Sequence, residues 1–80
     1  MREYKIRKDK IEEFLALSAV QRSHISGIPQ ETWSRWKKGT LEPGTRRIRA
    51  IASKFGLTYV EAVIAFEELR QNAEEALLSA

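Results

Sequence analysis

The chain has 80 residues, with 14 lysines and arginines against 11 acidic residues, a formal net charge of +3 and no cysteine. Its length fits one small domain, and the lack of cysteine excludes disulfides, thiolate catalysis and thiolate metal sites. No apolar stretch reaches signal-peptide or membrane-spanning length, so we expect a cytoplasmic protein, bacterial or in a phage-infected host, without a membrane partner.

The first predicted helix follows a short basic segment. Residues 1–8 carry several basic side chains and are interpreted as an N-terminal arm. Asp9, with Glu12 three residues later, matches a capping box, in which each side chain accepts a hydrogen bond from the other residue's backbone N–H. This pattern predicts a helix over about residues 10–17 with Asp9 as its N-cap.

The second predicted helix begins at another capping box. Ser18 and Gln21 have the required spacing and predict a helix over about residues 19–26. Few apolar side chains are available to bury this helix, and they are Ala19, Val20 and Ile25. Small size at Ser23 would let a neighbouring helix approach closely.

A sharp turn and a third short helix come next. Gly27 stands just after the second helix, where a left-handed glycine lets the chain reverse. The following segment predicts a helix over about residues 30–38 that is closed by Gly39. Trp33 and Trp36 lie three residues apart, so they share one face, and we expect that face to pack in the core.

Two further helices complete the predicted fold. Thr45 as N-cap predicts a fourth helix over about residues 46–55. Thr58 with Glu61 forms a third capping box, which opens a long C-terminal helix over about residues 58–80. The buried stripe of the fourth helix is expected to consist of Ile48, Ile51, Ala52 and Phe55.

The C-terminal helix carries apolar residues at alternating spacings of three and four. Such a heptad pattern predicts a seam between two helices, and we interpret it as a homodimer interface. A second apolar patch, formed by Val60, Val63 and Ile64, lies beside the seam. The predicted interface residues are Phe66, Leu69, Ala73 and Ala76.

The residues needed for catalysis are missing from the sequence. The single histidine, His24, has no evident acid–base partner, and a lone histidine is more often a surface residue. No metal-ligand spacing and no glycine-rich phosphate loop occurs. We therefore expect no enzyme activity, no catalytic residues, no metal, no cofactor and no small-molecule substrate.

The charge distribution favours a nucleic-acid partner. The net charge is +2 over residues 1–29, +5 over residues 30–54 and −4 over residues 55–80. A basic centre of this kind attracts a polyanion. Within that centre, the third helix has long polar side chains opposite its tryptophans, and a helix of this type suits the DNA major groove.

Two sets of DNA-contacting residues follow from this interpretation. Glutamine and arginine can bond adenine and guanine in a bidentate manner, and cations near a helix N-terminus attract phosphates. The predicted base-reading residues are Gln30, Glu31, Thr32, Ser34 and Arg35. The predicted phosphate-contacting residues are Lys37, Lys38, Thr40, Arg46 and Arg47.

The segment that ends at Gly39 resembles a known family. Its turn glycine, its two apolar helix positions, its closing glycine and the later Pro43 have the spacing of the phage-repressor family of helix-turn-helix proteins, the Cro-like or XRE-like group. The resemblance covers about residues 10–64. It implies an all-α fold of five helices, in which the second and third helices form the DNA-binding motif and the third reads the bases.

The same resemblance assigns roles by position. It implies that Gln30, Glu31, Thr32 and Arg35 face the groove and that Lys38, Arg46 and Arg47 touch phosphates. The second helix departs from the family pattern, because Arg22, Ser23 and Ser26 stand where the family usually has Leu, Ala and an apolar residue. Ile25 is therefore expected to supply the missing burial.

The function expected from the sequence is that of a homodimeric regulator, most plausibly a repressor, which binds double-stranded DNA at a near-palindromic operator. Two alternatives stay open. One is an antitoxin-like module, whose C-terminal helix binds a second protein while the motif binds DNA. The other is a protein-interaction domain without DNA binding, which the acidic Glu31 on the reading face would fit.

Overall fold

Five α-helices, and no strand, make up the part of the chain that this computed structural model describes, which is residues 5–79 for the backbone and 5–73 for the side chains. This arrangement confirms the predicted all-α class, the five helices and the long final helix. None of the described helices is long and apolar enough to cross a membrane. The helices are α1 (Lys8–Ala16), α2 (Ala19–Ser26), α3 (Gln30–Lys38), α4 (Thr45–Phe55) and α5 (Tyr59–Ser79).

Aromatic side chains from four helices meet in the core. The rings of Trp33 and Phe66 stack with their centroids 5.7 Å apart, and Phe14 meets Phe55 edge-on at 5.1 Å. Trp33 and Trp36 are only 1% and 2% exposed, which confirms that both indoles belong to the core. Because truncating a buried tryptophan costs about 3–5 kcal/mol, this cluster fixes α3 firmly on the domain.

The predicted dimer seam is wrong at its centre, because α5 is the central helix of the domain. It packs against α1, α3 and α4, and this contact buries Phe66 and Leu69 inside the core of a single chain. Neither side chain is available to a second copy. Ala73 is half-buried, and the side chain of Ala76 lies outside the described residues.

The start of α1 also differs from the prediction. The helix begins at Lys8, its N-cap is Arg7, and no side chain caps it, so Asp9 lies within the first turn and forms no capping box. A tertiary contact holds this helix start instead. The carboxylate of Glu61 accepts hydrogen bonds from the Arg7 backbone N–H at 2.8 Å and from its side-chain Nε and Nη2 at 2.9 and 2.7 Å.

Glu61 connects the start of α5 with the start of α1. It also completes the predicted capping box of α5, since its carboxylate accepts from the Thr58 N–H at 2.8 Å and its own N–H donates to Thr58 Oγ1 at 3.2 Å. The hydrogen bonds from Arg7 and Thr58 hold the pKa of this buried carboxyl far below its ordinary range, against the opposing effect of burial. The same contact raises the pKa of Arg7.

The side chains that α2 directs into the core are polar rather than apolar. The capping box of Ser18 and Gln21 is present as predicted. Ile25 does not supply burial, because its side chain is exposed, as is Val20 at 59%. Arg22 and Ser26 face inward instead. The helix tolerates this because the Ser26 hydroxyl donates to the Arg22 carbonyl at 2.6 Å and accepts from the indole N–H of Trp33 at 3.2 Å.

The fourth helix matches the prediction with a shift of one residue. Thr45 is its first residue and Gly44 its N-cap, so Thr45 makes no cap of its own. Ile51 and Ala52 are buried, while Ile48 and Phe55 are half-buried against the core. The apolar stripe of α4 is therefore confirmed.

Candidate nucleic-acid interface

The turn between α2 and α3 is formed at a left-handed glycine. Gly27 has a φ of +75°, and its N–H donates to the Ser23 carbonyl at 2.8 Å, which closes the end of α2. Nothing lies within 4 Å of the place where a Cβ would stand. The glycine is needed here for its left-handed backbone and not for space.

The outward face of α3 is polar and exposed. At about 100° per residue, Glu31, Ser34, Arg35 and Lys38 all project at least about 100° from both indoles. All four are exposed. The structure therefore brings these predicted residues together on one free surface of the helix.

The remaining residues predicted on α3 lie on its flanks. Gln30 is exposed, whereas Thr32 is half-buried on the side of Trp36. Lys37 lies about 40° from Trp33 around the helix, so it borders the core and does not share the outward face. The free polar face of α3 therefore holds fewer of the predicted residues than the sequence suggested.

Glu31 and Arg35 form an ion pair on the outward face. Arg35 Nη2 lies 3.1 Å from Glu31 Oε1, one turn away on the same helix. Both side chains are largely exposed, so the pair contributes at most about 1 kcal/mol to stability. It offsets the negative charge of Glu31 and holds the guanidinium above the helix surface.

The end of α3 engages Thr40. Its N–H and its hydroxyl both donate to the Arg35 carbonyl, at 3.0 and 3.2 Å. The hydroxyl therefore caps the helix in this structure. Lys38, just before the closing Gly39, is exposed beside it.

A basic groove runs beside the turn between α2 and α3. It has a volume of about 710 Å³ and lies between the turn at Gly27 and one face of α4. Arg46, Arg47 and Lys54 line it, and none of the described residues along it is acidic. The Arg47 guanidinium carbon lies 6.0 Å from the ring centroid of Trp36, so this side chain leans towards α3.

Lys54 was not among the phosphate-contacting residues predicted from the sequence. Its position could have been predicted, because Lys54 lies two helical turns after Arg47 and residues seven apart share a helix face. Arg49 lies elsewhere, with its guanidinium carbon 5.0 Å from the ring centroid of Tyr59. The groove thus gathers three cations beside the turn that precedes α3, and such cations can contact a phosphate backbone.

Groups suited to other chemistry do not gather on this surface. Within residues 5–73, no group of three or more His, Cys, Asp and Glu side chains could hold a metal ion. His24 is exposed on α2.

No protein-family model, curated protein or solved structure matches this chain. An exposed polar helix face beside a cationic groove can make hydrogen bonds and phosphate contacts.

Proposed function

We propose that this chain is a sequence-specific, double-stranded-DNA-binding transcriptional regulator of the phage-repressor helix-turn-helix type. Helix α3 would enter the major groove with Glu31, Ser34 and Arg35 towards the base edges. The observation that carries this proposal is the division of α3 into two faces. Its indoles are buried and its long polar side chains are free.

The basic groove supports the same function from a second direction. Arg46, Arg47 and Lys54 would meet the sugar–phosphate backbone beside the reading helix, together with the exposed Lys38. Such contacts give affinity without sequence information and set the register of α3. A regulator bound at a promoter in this way would block polymerase, so repression would need no chemical reaction.

We propose that the regulator acts as a homodimer, whose two α3 helices reach successive major grooves about 34 Å apart. Since Phe66 and Leu69 are committed to the core, the contact must use another surface. The candidate is an apolar patch in which Ile6 and Ile64 line one shallow pocket and Val60 lies one helical turn before Ile64 on α5. Ile6 and Val60 are exposed in a single chain, and Ile64 is half-buried beside them.

Selection of bound sequences from a random duplex pool tests the proposal directly. We expect an enriched motif with two-fold symmetry and half-sites one helical turn apart. A salt titration on random duplex should show affinity falling steeply as salt rises, because phosphate contacts release counterions. Enrichment of no motif, together with binding that is independent of salt, would favour a protein-interaction domain and end this proposal.

A further inference from the structure

A cleft on the Lys37 side of α3 borders the proposed DNA surface at Ser34. It has a volume of about 340 Å³ and lies between the turn joining α1 to α2, helix α3 and helix α5. This volume is within the range of small-molecule sites. Its apolar lining comes from Leu15, Leu17, Trp33 and Leu69, and its polar lining includes Arg22, Lys37, Ser34 and Asn72.

Arg22 is the unusual residue of this cleft. It is only 4% exposed, although arginine is rarely buried. Its guanidinium carbon lies 5.7 Å from the ring centroid of Phe14 and 5.6 Å from that of Trp33. Because those two centroids are 5.9 Å apart, the three points form a nearly equilateral triangle, and both rings lie on one side of the guanidinium.

At least one N–H donor of this guanidinium has no hydrogen-bond partner in the described part of the chain. Nη1 donates to the Leu17 carbonyl at 2.6 Å, whereas the buried Nε has no hydrogen-bond partner in the described part of the chain. A guanidinium has five N–H donors in one plane, a fork that matches a carboxylate. Burial lowers the pKa of Arg22, yet arginine keeps its charge at physiological pH.

Burying an unpaired charge is costly, and an apolar side chain of similar size would fill this position at less cost. The cleft supplies a second cation, Lys37, and none of its described lining residues is acidic. A positive potential over an apolar floor suits one class of ligand. That class is an organic anion with a carboxylate at one end and an apolar body at the other.

We propose that this cleft binds a small organic carboxylate, whose carboxylate pairs with Lys37 and with the guanidinium of Arg22 while its apolar body rests on the half-buried Leu15 and Leu17. The ligand would touch α3 directly, through Lys37 and Ser34. If α3 reads DNA, which is the part that rests on the proposed function, the ligand is an effector that changes DNA affinity.

The test begins with binding measured without DNA, so that it stands apart from the proposed function. Benzoate and cyclohexanecarboxylate are titrated into the isotope-labelled full chain, and amide, indole and guanidinium resonances are followed by NMR. We expect saturable shifts of Trp33 and Arg22, and about tenfold weaker binding of neutral benzamide, because a charge-assisted hydrogen bond is lost. Inorganic phosphate, which has no apolar body, should also bind more weakly than benzoate.

Matched variants locate the site. Lys37→Gln changes an exposed side chain and should weaken benzoate several-fold, whereas Lys38→Gln, on the outward face, should not change it. Arg22→Met keeps an unbranched side chain in the core and should weaken benzoate about tenfold or more. The proposal is overturned if neither carboxylate binds saturably, if benzamide binds as well as benzoate, or if Lys37→Gln and Lys38→Gln behave alike.

Discussion

In the proposed complex, Arg35 and Glu31 are the side chains of α3 that would select a DNA sequence. In the free protein they pair with each other at 3.1 Å on an exposed surface. Such a pair is weak and exchanges readily for stronger partners, so Arg35 can leave it for a guanine edge at little cost. Glu31 can then accept a hydrogen bond from a cytosine amino group.

Arg35→Ala should weaken binding to the selected operator by about 1–3 kcal/mol and relax the preference at one base pair. The reason is the loss of a bidentate contact that only one base offers. Selection from a random pool with the wild type and the variant measures both effects. Arg49→Ala, which removes an arginine directed towards Tyr59, is the control and should leave the motif unchanged. An unaltered motif in Arg35→Ala would disprove the assigned reading face.

Glu61 contributes to the stability of the fold, and no role in DNA recognition is proposed for it. Its carboxylate is buried and bonded to Arg7 and Thr58. The hydrogen bonds from Arg7 hold the pKa of Glu61 far below its ordinary value of 4.5. The folded chain therefore binds fewer protons than the unfolded chain in acid. This stabilisation is complete above the ordinary pKa and is lost as the pH falls towards the folded-state pKa.

Glu61→Gln should lower the free energy of unfolding by about 1–3 kcal/mol at neutral pH, because charge-assisted hydrogen bonds are lost. The difference from the wild type should shrink at about pH 3, where the wild-type carboxyl also loses its advantage. Urea unfolding followed by tryptophan fluorescence measures both. Glu12→Gln, at an exposed glutamate, should have little effect. A gap that is unchanged or larger in acid would contradict this account.

At the scale of elements, the turn at Gly27 sets the angle between α2 and α3. A residue with a Cβ in its left-handed conformation, φ +75°, costs about 1–2 kcal/mol. Gly27→Ala should therefore lower stability by about that amount, although nothing would touch the added methyl group. Thermal unfolding measures it.

Gly44→Ala is the matched control for this change. Gly44 has a φ of −72° and also has open space around its missing Cβ, so alanine there is unstrained. We expect a change of less than about 0.5 kcal/mol. Equal effects at the two glycines would show that the left-handed backbone is not the cause.

The element predicted least well is α5. Its spacing of three and four residues is the same for a helix packed on its own domain and for a helix packed on a second copy. Sequence period alone identifies an apolar face and not the surface that covers it. In the fold, α1, α3 and α4 cover that face, which leaves Val60 exposed at 39% on another side of α5.

At the scale of the whole molecule, the excess positive charge of residues 30–54 would act on DNA through the basic groove that Arg46, Arg47 and Lys54 line. Arg46→Ala should weaken binding to all DNA sequences equally and reduce the slope of log affinity against log salt by about 1, because one phosphate contact is lost. Binding measured at several salt concentrations, on operator and on random duplex, tests this. A change of sequence preference in Arg46→Ala would contradict a phosphate role.

Self-association tests the proposed dimer patch. Val60→Glu places a charge in the patch, at an exposed position in the first turn of α5 that an acidic residue suits, so the fold should be kept. Light scattering should show monomers in place of dimers. Val20→Glu makes the same change at an exposed valine of α2 and should leave the dimer intact. A dimer that survives Val60→Glu would move the interface elsewhere.

Local patterns in the sequence determined the fold class, the five helices, the capping boxes at Ser18 and Thr58, and the burial of both tryptophans. These features depend on residues a few positions apart, which the sequence displays directly. The outward face of α3 was predictable for the same reason. The positions of Thr32 and Lys37 beside the indoles follow from the same period, but only the packing of neighbouring helices leaves Thr32 half-buried and Lys37 exposed.

Contacts between distant residues decided the rest. The pairing of Arg7 with Glu61 spans 54 positions and set the start of α1, against the local capping signal at Asp9. The burial of Arg22 under two aromatic rings depends on the packing of α1 and α3 on α2. A sequence specifies such contacts only through the complete fold, because a side chain's partners are fixed once all helices are packed together.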